Sequence, residues 1–172
     1  LISFFLFSST ASFSQSAKKL YSSGEKFREL KNYKDAANSY TQAINLDPKY
    51  EKAYSARALC YEMMDQRTEA IKDYEAAITF SPKDEVLYCK AGKLYFELGD
   101  NSKAIDKLRK ALDLNNNYVE ALNSMIQVLH KNKMYLEALK YCEKALDIKK
   151  TALNHFNYAV TLDSLKSFLD AE

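Results

Sequence analysis

Three glycines and two prolines are all that 172 residues contain, and histidine occurs only twice. A chain so poor in turn residues cannot supply the many tight turns of an all-β fold. Its abundant Ala, Leu, Lys and Glu are good helix formers, so the expected class is all-α. An excess of one charge is missing too: 25 Lys and Arg against 23 Asp and Glu leave a net charge of +2. No basic run with interleaved aromatics exists, and nucleic acid is not an expected partner. Apolar residues make up 47% of the chain, enough for a packed core and too many for a disordered one.

Reaction machinery is also lacking. There is no GxGxxG or GxxxxGK[ST] phosphate loop, no HExxH, no CxxC and no GxSxG. His130 and His155 stand apart from any Cys or His at metal-ligand spacing. Asp65, Glu69, Asp73 and Glu75 fit solvated helix surfaces, and no carboxylate pair is singled out for acid–base work. The chain is therefore read as not an enzyme, with no catalytic residue, cofactor, metal or small-molecule substrate. Cys60, Cys89 and Cys142 fall at different points of the repeating pattern, and three free thiols are expected.

Nor does the chain begin with methionine. It opens on "LISFFLF" followed by "SSTASFSQS", the shape of the latter part of a secretory signal. Ser12 and Ser14 would place the cut before Gln15, while Ser14 and Ser16 would place it before Ala17. Residues 1–14 are read as a signal remnant of an exported bacterial-type protein, periplasmic or extracellular rather than cytoplasmic. The other reading is the trimmed end of a membrane anchor, since residues upstream could lengthen the run.

What the chain does have is a period. "NLDPKY" at residues 45–50 returns as "TFSPKD" at 79–84, a spacing of 34 residues that holds along the chain. The units are 17–50, 51–84, 85–118 and 119–152. Position 20 is Ala36, Ala70, Ala104 and Ala138, and position 27 is Ala43, Ala77, Ala111 and Ala145. Position 8 is Gly24, Ala58, Gly92 and Ile126; position 24 is Tyr40, Tyr74, Leu108 and Cys142. Larger residues recur at position 4 (Leu20, Tyr54, Tyr88, Leu122) and position 11 (Phe27, Tyr61, Tyr95, Leu129). Position 32 is Pro48, Pro82, Asn116 and Lys150; proline there stops a helix, and the "NNN" of the third unit favours a turn.

These columns resemble the tetratricopeptide repeat. The resemblance implies a right-handed superhelical solenoid of antiparallel helix pairs, four full repeats plus a partial fifth, within an array over 15–172. Small residues at 8, 20 and 27 would let helices approach closely, with the larger ones filling the remaining space. Ile126 and Lys150 depart from the pattern, and looser packing is expected in the fourth unit. The fifth unit starts at Ala152, with Ala159 at position 8, Leu162 at 11 and Ala171 at 20, so that the chain stops inside a second helix. A closing helix that shields the last apolar face is the other reading. The fragmentary fifth unit and the missing Met together lead us to expect a piece of a longer chain.

The resemblance also implies a concave groove lined by positions 2, 5, 9 and 12 of the first helices, suited to a peptide or a partner helix. From these we take Tyr21, Arg28, Lys52, Ser55, Leu59, Cys89, Lys93, Phe96, Asn123 and Gln127 as candidate partner-binding residues. The same side chains could instead form a solvated face. A subgroup of the family clamps a C-terminal carboxylate; the matching places here hold Tyr21, Glu25, Ala56, Val86 and Lys90, or one unit later Ser55, Leu59, Lys90, Glu120 and Ser124. Neither set has the required Lys and Asn, so that ligand is disfavoured. The function expected is a non-catalytic protein-interaction scaffold with a protein or peptide partner. The alternative is a docking or sensory region of a longer membrane-associated signalling protein, with an anchor outside this piece and an output domain beyond residue 172.

Overall fold

Each 34-residue period folds into two helices joined by a tight turn. The computed structural model describes residues 2–170, and side chains from Ser14 onward. Most of the signal remnant's side chains, Leu1 as a whole and Ala171 therefore lie outside the described residues. Among the described residues there are nine helices and no strand. They divide into two compact units, one ending at Pro82 and the other starting at Lys83. The first contains α1 (Ile2–Glu29), α2 (Tyr33–Leu46), α3 (Glu51–Met63) and α4 (Arg67–Phe80). The second contains α5 (Glu85–Glu97), α6 (Asn101–Leu114), α7 (Val119–Lys131), α8 (Tyr135–Ile148) and α9 (Ala152–Leu169). The all-α hairpin-repeat class holds, with four complete hairpins and one further helix.

The turn inside each hairpin is the same structure four times. Position 15 adopts a left-handed conformation in Lys31 (φ 57°), Asp65 (φ 61°), Gly99 (φ 83°) and Lys133 (φ 56°). In the first hairpin the Lys31 amide donates to Arg28 O at 2.9 Å and the Asn32 amide to Phe27 O at 2.9 Å. Asp65 and Gln66, Gly99 and Asp100, and Lys133 and Met134 repeat this double closure. It is the Schellman arrangement, which satisfies the last carbonyls of the first helix. Only one of the four residues is glycine, so the other three carry a Cβ in a region costing about 1–2 kcal/mol. Lys133→Gly is expected to raise the stability of its hairpin by about 0.5–1 kcal/mol. A thermal melt with no gain would show that the turn is unstrained.

The second helices stop where expected. α2 ends at Leu46 and α4 at Phe80, each two residues before its proline. In the third hairpin Asn115 takes over, its side-chain oxygen accepting from the Asn117 amide at 3.1 Å to hold the turn.

Hairpin packing explains the alternation of small and large residues. A Cβ placed on Gly24 would come within 2.5–2.9 Å of the Tyr40 ring, and one on Gly92 within 2.8 Å of Leu108 Cγ. Position 8 thus presses on position 24. In the fourth hairpin the sizes are exchanged: Ile126 stands at position 8 and Cys142 at 24, and both are buried. The exchange keeps a similar summed volume at the two positions, yet α7 and α8 meet over less of their length than the helices of the other three hairpins, as the looser packing expected of the fourth unit requires.

Two expectations need correction. Asp73 is not a solvated surface carboxylate but 5% exposed, gripped by Arg57 through Nε–Oδ2 at 2.7 Å and a second bond at 2.8 Å. Arg57 also donates to Thr41 Oγ1 at 2.8 Å, tying α3 to both α4 and α2. A helix break was expected inside residues 152–172, yet α9 runs unbroken to Leu169. Lys166, at position 15 of that unit, stays helical, and "SLKSFL" holds no residue that would stop a helix.

Candidate functional site

In the second unit α5 packs on α7 and α7 on α9, so the first helices of successive repeats form one layer. Their outer positions line an open hollow of about 380 Å³ formed by Phe96, Gln127, His130, Phe156, Asn157 and Val160, with Ile126 beneath. Phe96 and His130 are at position 12 of their repeats, Gln127 at 9, Phe156 and Val160 at 5 and 9 of the fifth. Hydrocarbon supplies most of the wall. Polar contact comes from the exposed Gln127 amide and from the Asn157 amide, whose Nδ2 donates to Asn123 Oδ1 at 3.0 Å.

His130 is fixed from behind. Its Nε2 lies 2.7 Å from Thr161 Oγ1, and Thr161, fully buried, also contacts Cys142 Sγ at 3.3 Å and donates to Asn157 O at 2.6 Å. Tyr135 meets the imidazole edge-on at 5.4 Å. Burial pushes the His130 pKa below its ordinary value. The unfolded chain therefore takes up this proton first, and stability contributed by neutral His130 is lost as pH falls from about 6.5 toward the lower folded value. The melting temperature is expected to drop between pH 7.5 and 5.5, with His130→Gln flattening the change. Glu120 and Glu85, whose carboxyls are held low by hydrogen bonds from Lys93 and Asn115, act only in a more acidic window. An unaltered pH profile in the variant would place the titration elsewhere.

The candidate residues fare differently. Phe96 and Gln127 line the hollow, and Asn123 supports it from behind Asn157. Lys93 stands beside them but is paired across the layer with Glu120 at 2.8 Å. A second hollow of about 130 Å³ is lined by Lys93, Phe96, Gln127 and Ser124. Cys89, expected in the lining, is fully buried, its thiol pushed up to about 11 by desolvation, with Glu120 and Tyr118 as near neighbours. It offers a partner no accessible atom. Cys60, Cys89 and Cys142 are all free, as expected, and all three are buried.

In the first unit Tyr21 packs on Tyr40 and Tyr50, with ring centres 5.4 and 5.2 Å away. Burial and the nearby Glu25 push its hydroxyl pKa up to about 12, which marks it as part of the core edge. Arg28 is engaged by Glu25 at 2.6 Å, and Glu25 also accepts from the Tyr40 hydroxyl. Lys52 is exposed, Leu59 is half-buried, and the Ser55 hydroxyl donates to Lys52 O at 3.2 Å. Phe156, Asn157 and Val160 were missing from the expected set, while His130 stood at lining position 12 but was not taken among the candidates. The signal for Phe156 and Val160 was present in the fifth unit's register, where they occupy lining positions.

Among the described residues no helix is long and apolar enough to cross a membrane, and no three His, Cys, Asp or Glu are grouped to hold a metal ion.

A family model described as a TPR repeat matches residues 24–65, 66–99 and 92–133. The chain is similar to Hsp70-Hsp90 organizing protein 2 of Arabidopsis thaliana, 32% identical over 102 residues, covering 59% of this chain and 18% of that protein. It is also similar to small glutamine-rich tetratricopeptide repeat-containing protein 2 of Saccharomyces cerevisiae, 29% identical over 136 residues, with 78% and 37% covered. The chain thus spans well under half the length of these relatives. Among solved structures, a tetratricopeptide repeat protein from Parabacteroides merdae superposes with a TM-score of 0.84 at 20% identity, over 90% of this chain and 62% of that one.

Proposed function

Since the chain belongs to the tetratricopeptide repeat family, we propose that it is a non-catalytic scaffold whose second unit holds an apolar segment of a partner protein, either an extended peptide or one face of a helix. The observation that carries this reading is the open hollow of about 380 Å³ walled by Phe96, His130, Phe156 and Val160. Its size suits one large apolar side chain, and Gln127 and Asn157 at its edge suit the polar backbone on either side of that anchor. Phe156 is 64% exposed, apolar surface that a partner would remove from water. The Lys93–Glu120 pair presents both charges near the adjoining smaller hollow that Lys93 lines, which favours selectivity over raw affinity.

Two relatives are named for organising Hsp70 and Hsp90 or for a glutamine-rich repeat architecture. Their partners are not carried over, because the places of the carboxylate clamp hold Tyr21, Glu25, Ala56, Val86 and Lys90 here.

Panning a displayed random-peptide library on the chain tests the site. Enriched peptides are expected to share a large aliphatic or aromatic residue and to bind Phe96→Ala about tenfold more weakly, the loss of a central apolar contact. Equal affinity for parent and variant, or no enrichment, would reject the groove. Lys93→Ala should change affinity less, since an exposed ion pair contributes about 0–1 kcal/mol. Export through a leader ending near Ser14 belongs to the same proposal. N-terminal sequencing of the recovered protein is expected to begin at Gln15 or Ala17, and a start upstream of Phe13 would overturn it.

A further inference from the structure

Thr161 has one hydroxyl proton, and the geometry around it shows where that proton goes. Its Oγ1 stands 2.6 Å from the main-chain oxygen of Asn157. Two oxygens that close need a proton between them, and a carbonyl has none to give. The Thr161 proton therefore lies on that bond. Toward its other neighbours, Cys142 Sγ at 3.3 Å and His130 Nε2 at 2.7 Å, the same oxygen can only accept. A hydroxyl oxygen has two lone pairs, and these two contacts use both. Cys142 thus donates its S–H, and His130 carries its ring proton on Nε2.

In a neutral imidazole protonated on Nε2, Nδ1 is a bare acceptor. Burial favours that neutral ring by pushing the His130 pKa below its ordinary value. Among the described residues none is bonded to Nδ1. The buried side-chain nitrogen or oxygen that lacks a partner among them is Asn154 Oδ1, so Nδ1 is an open atom rather than a sealed one. The ring that bears it lines the hollow, and Thr161 and Cys142, both fully buried, hold the ring and its tautomer in place.

Hydrocarbon from Phe96, Phe156 and Val160 surrounds this acceptor. An occupant that fills the hollow takes Nδ1 out of water and leaves it unpaired unless the occupant brings a donor. Aliphatic side chains and phenylalanine bring none. A tyrosine hydroxyl brings one, but its own lone pairs then lie against hydrocarbon. The indole of tryptophan is large and apolar, and its N–H only donates. We propose, resting on the groove reading above, that the hollow takes a tryptophan side chain of the partner, its indole N–H donating to His130 Nδ1. His130 is then the residue that sets specificity, because the match lies in the direction of a hydrogen bond and not in apolar bulk alone.

Two heptapeptides of glycine and serine test this, one with a central tryptophan and one with benzothienylalanine, whose sulfur replaces the indole N–H. Each is titrated into the full chain, isotope-labelled, and the side-chain amide resonances of Gln127 and Asn157 report place and affinity together. The tryptophan peptide is expected to bind about tenfold more tightly, the effect of one buried acceptor left unpaired by its copy. With His130→Phe, which keeps a ring and loses the acceptor, the two peptides should bind alike. The tautomer is read without any variant: proton–nitrogen correlations of the free chain at about pH 8, where the ring is neutral, should show Nε2 protonated and Nδ1 bare. The reverse tautomer overturns the proposal. Equal affinities for the parent, both weakened by Phe96→Ala, overturn the tryptophan assignment and leave the groove standing. A tryptophan peptide that moves neither amide overturns it as well, while the groove itself is judged by the library panning.

Discussion

Arg57→Ala is expected to lower unfolding free energy by about 3–5 kcal/mol. The cause is what the change leaves behind. Asp73 sits on α4 with its side chain 8% exposed, and both of its oxygens are occupied by the guanidinium. Without that partner the carboxylate keeps its burial and loses its compensation. Thr41 Oγ1 loses a donor at the same time, and the guanidinium's stacking over Tyr54 and Tyr61, at 5.7 and 5.8 Å, disappears. Replacing both charges together, as Arg57→Met with Asp73→Leu, should be far milder and could even stabilise, because neither charge then needs desolvating. Urea titrations followed by helical circular dichroism compare the two. If the single variant costs under 1 kcal/mol, water reaches Asp73 and the pair is not a buried one.

Gly92→Ile should cost about 1–3 kcal/mol, and Leu108→Cys in the same chain should recover a good part of it. Even the first carbon of the new side chain would lie 2.8 Å from Leu108 Cγ and 3.2 Å from Ala104 O. The first of these neighbours can be shortened and the second, being backbone, cannot. Leu108→Cys alone leaves a void and should be destabilising by about 2–4 kcal/mol. The double variant copies the Ile126 and Cys142 pair that the fourth hairpin already buries. Costs that simply add would mean that positions 8 and 24 do not share one space, and that their summed volume does not govern hairpin packing.

The period, the hairpins and their stop signals were readable because each is a local or strictly repeating property of the chain. Alanine at 20 and 27 marks a helix crossing wherever it recurs, and Pro48 and Pro82 act on their immediate neighbours. The site was half readable. Phe96 and Gln127 follow from position alone, but Cys89, at an equally regular lining position, lies buried near Tyr118 and Glu120. Phe156 and Val160 obey the same positional rule in the fifth unit, whose register is carried by fewer matching residues.

Pairs between helices lay beyond the reach of the pattern. Arg57 and Asp73 are sixteen residues apart and occupy positions with no fixed residue type, so the sequence showed only two ordinary surface charges. The left-handed turns at Lys31, Asp65 and Lys133 were equally hidden, since tertiary contact on both sides forces a conformation that local preference opposes. Sequence alone determined the all-α class, because helix formers abound and turn residues are scarce, and its resemblance to the tetratricopeptide repeat supplied the hairpin architecture. Tertiary structure decided which carboxylate is buried, which cysteine leaves the lining, and that α9 continues unbroken to Leu169. Those outcomes depend on which side chains meet across helices, and a one-dimensional pattern does not record such meetings.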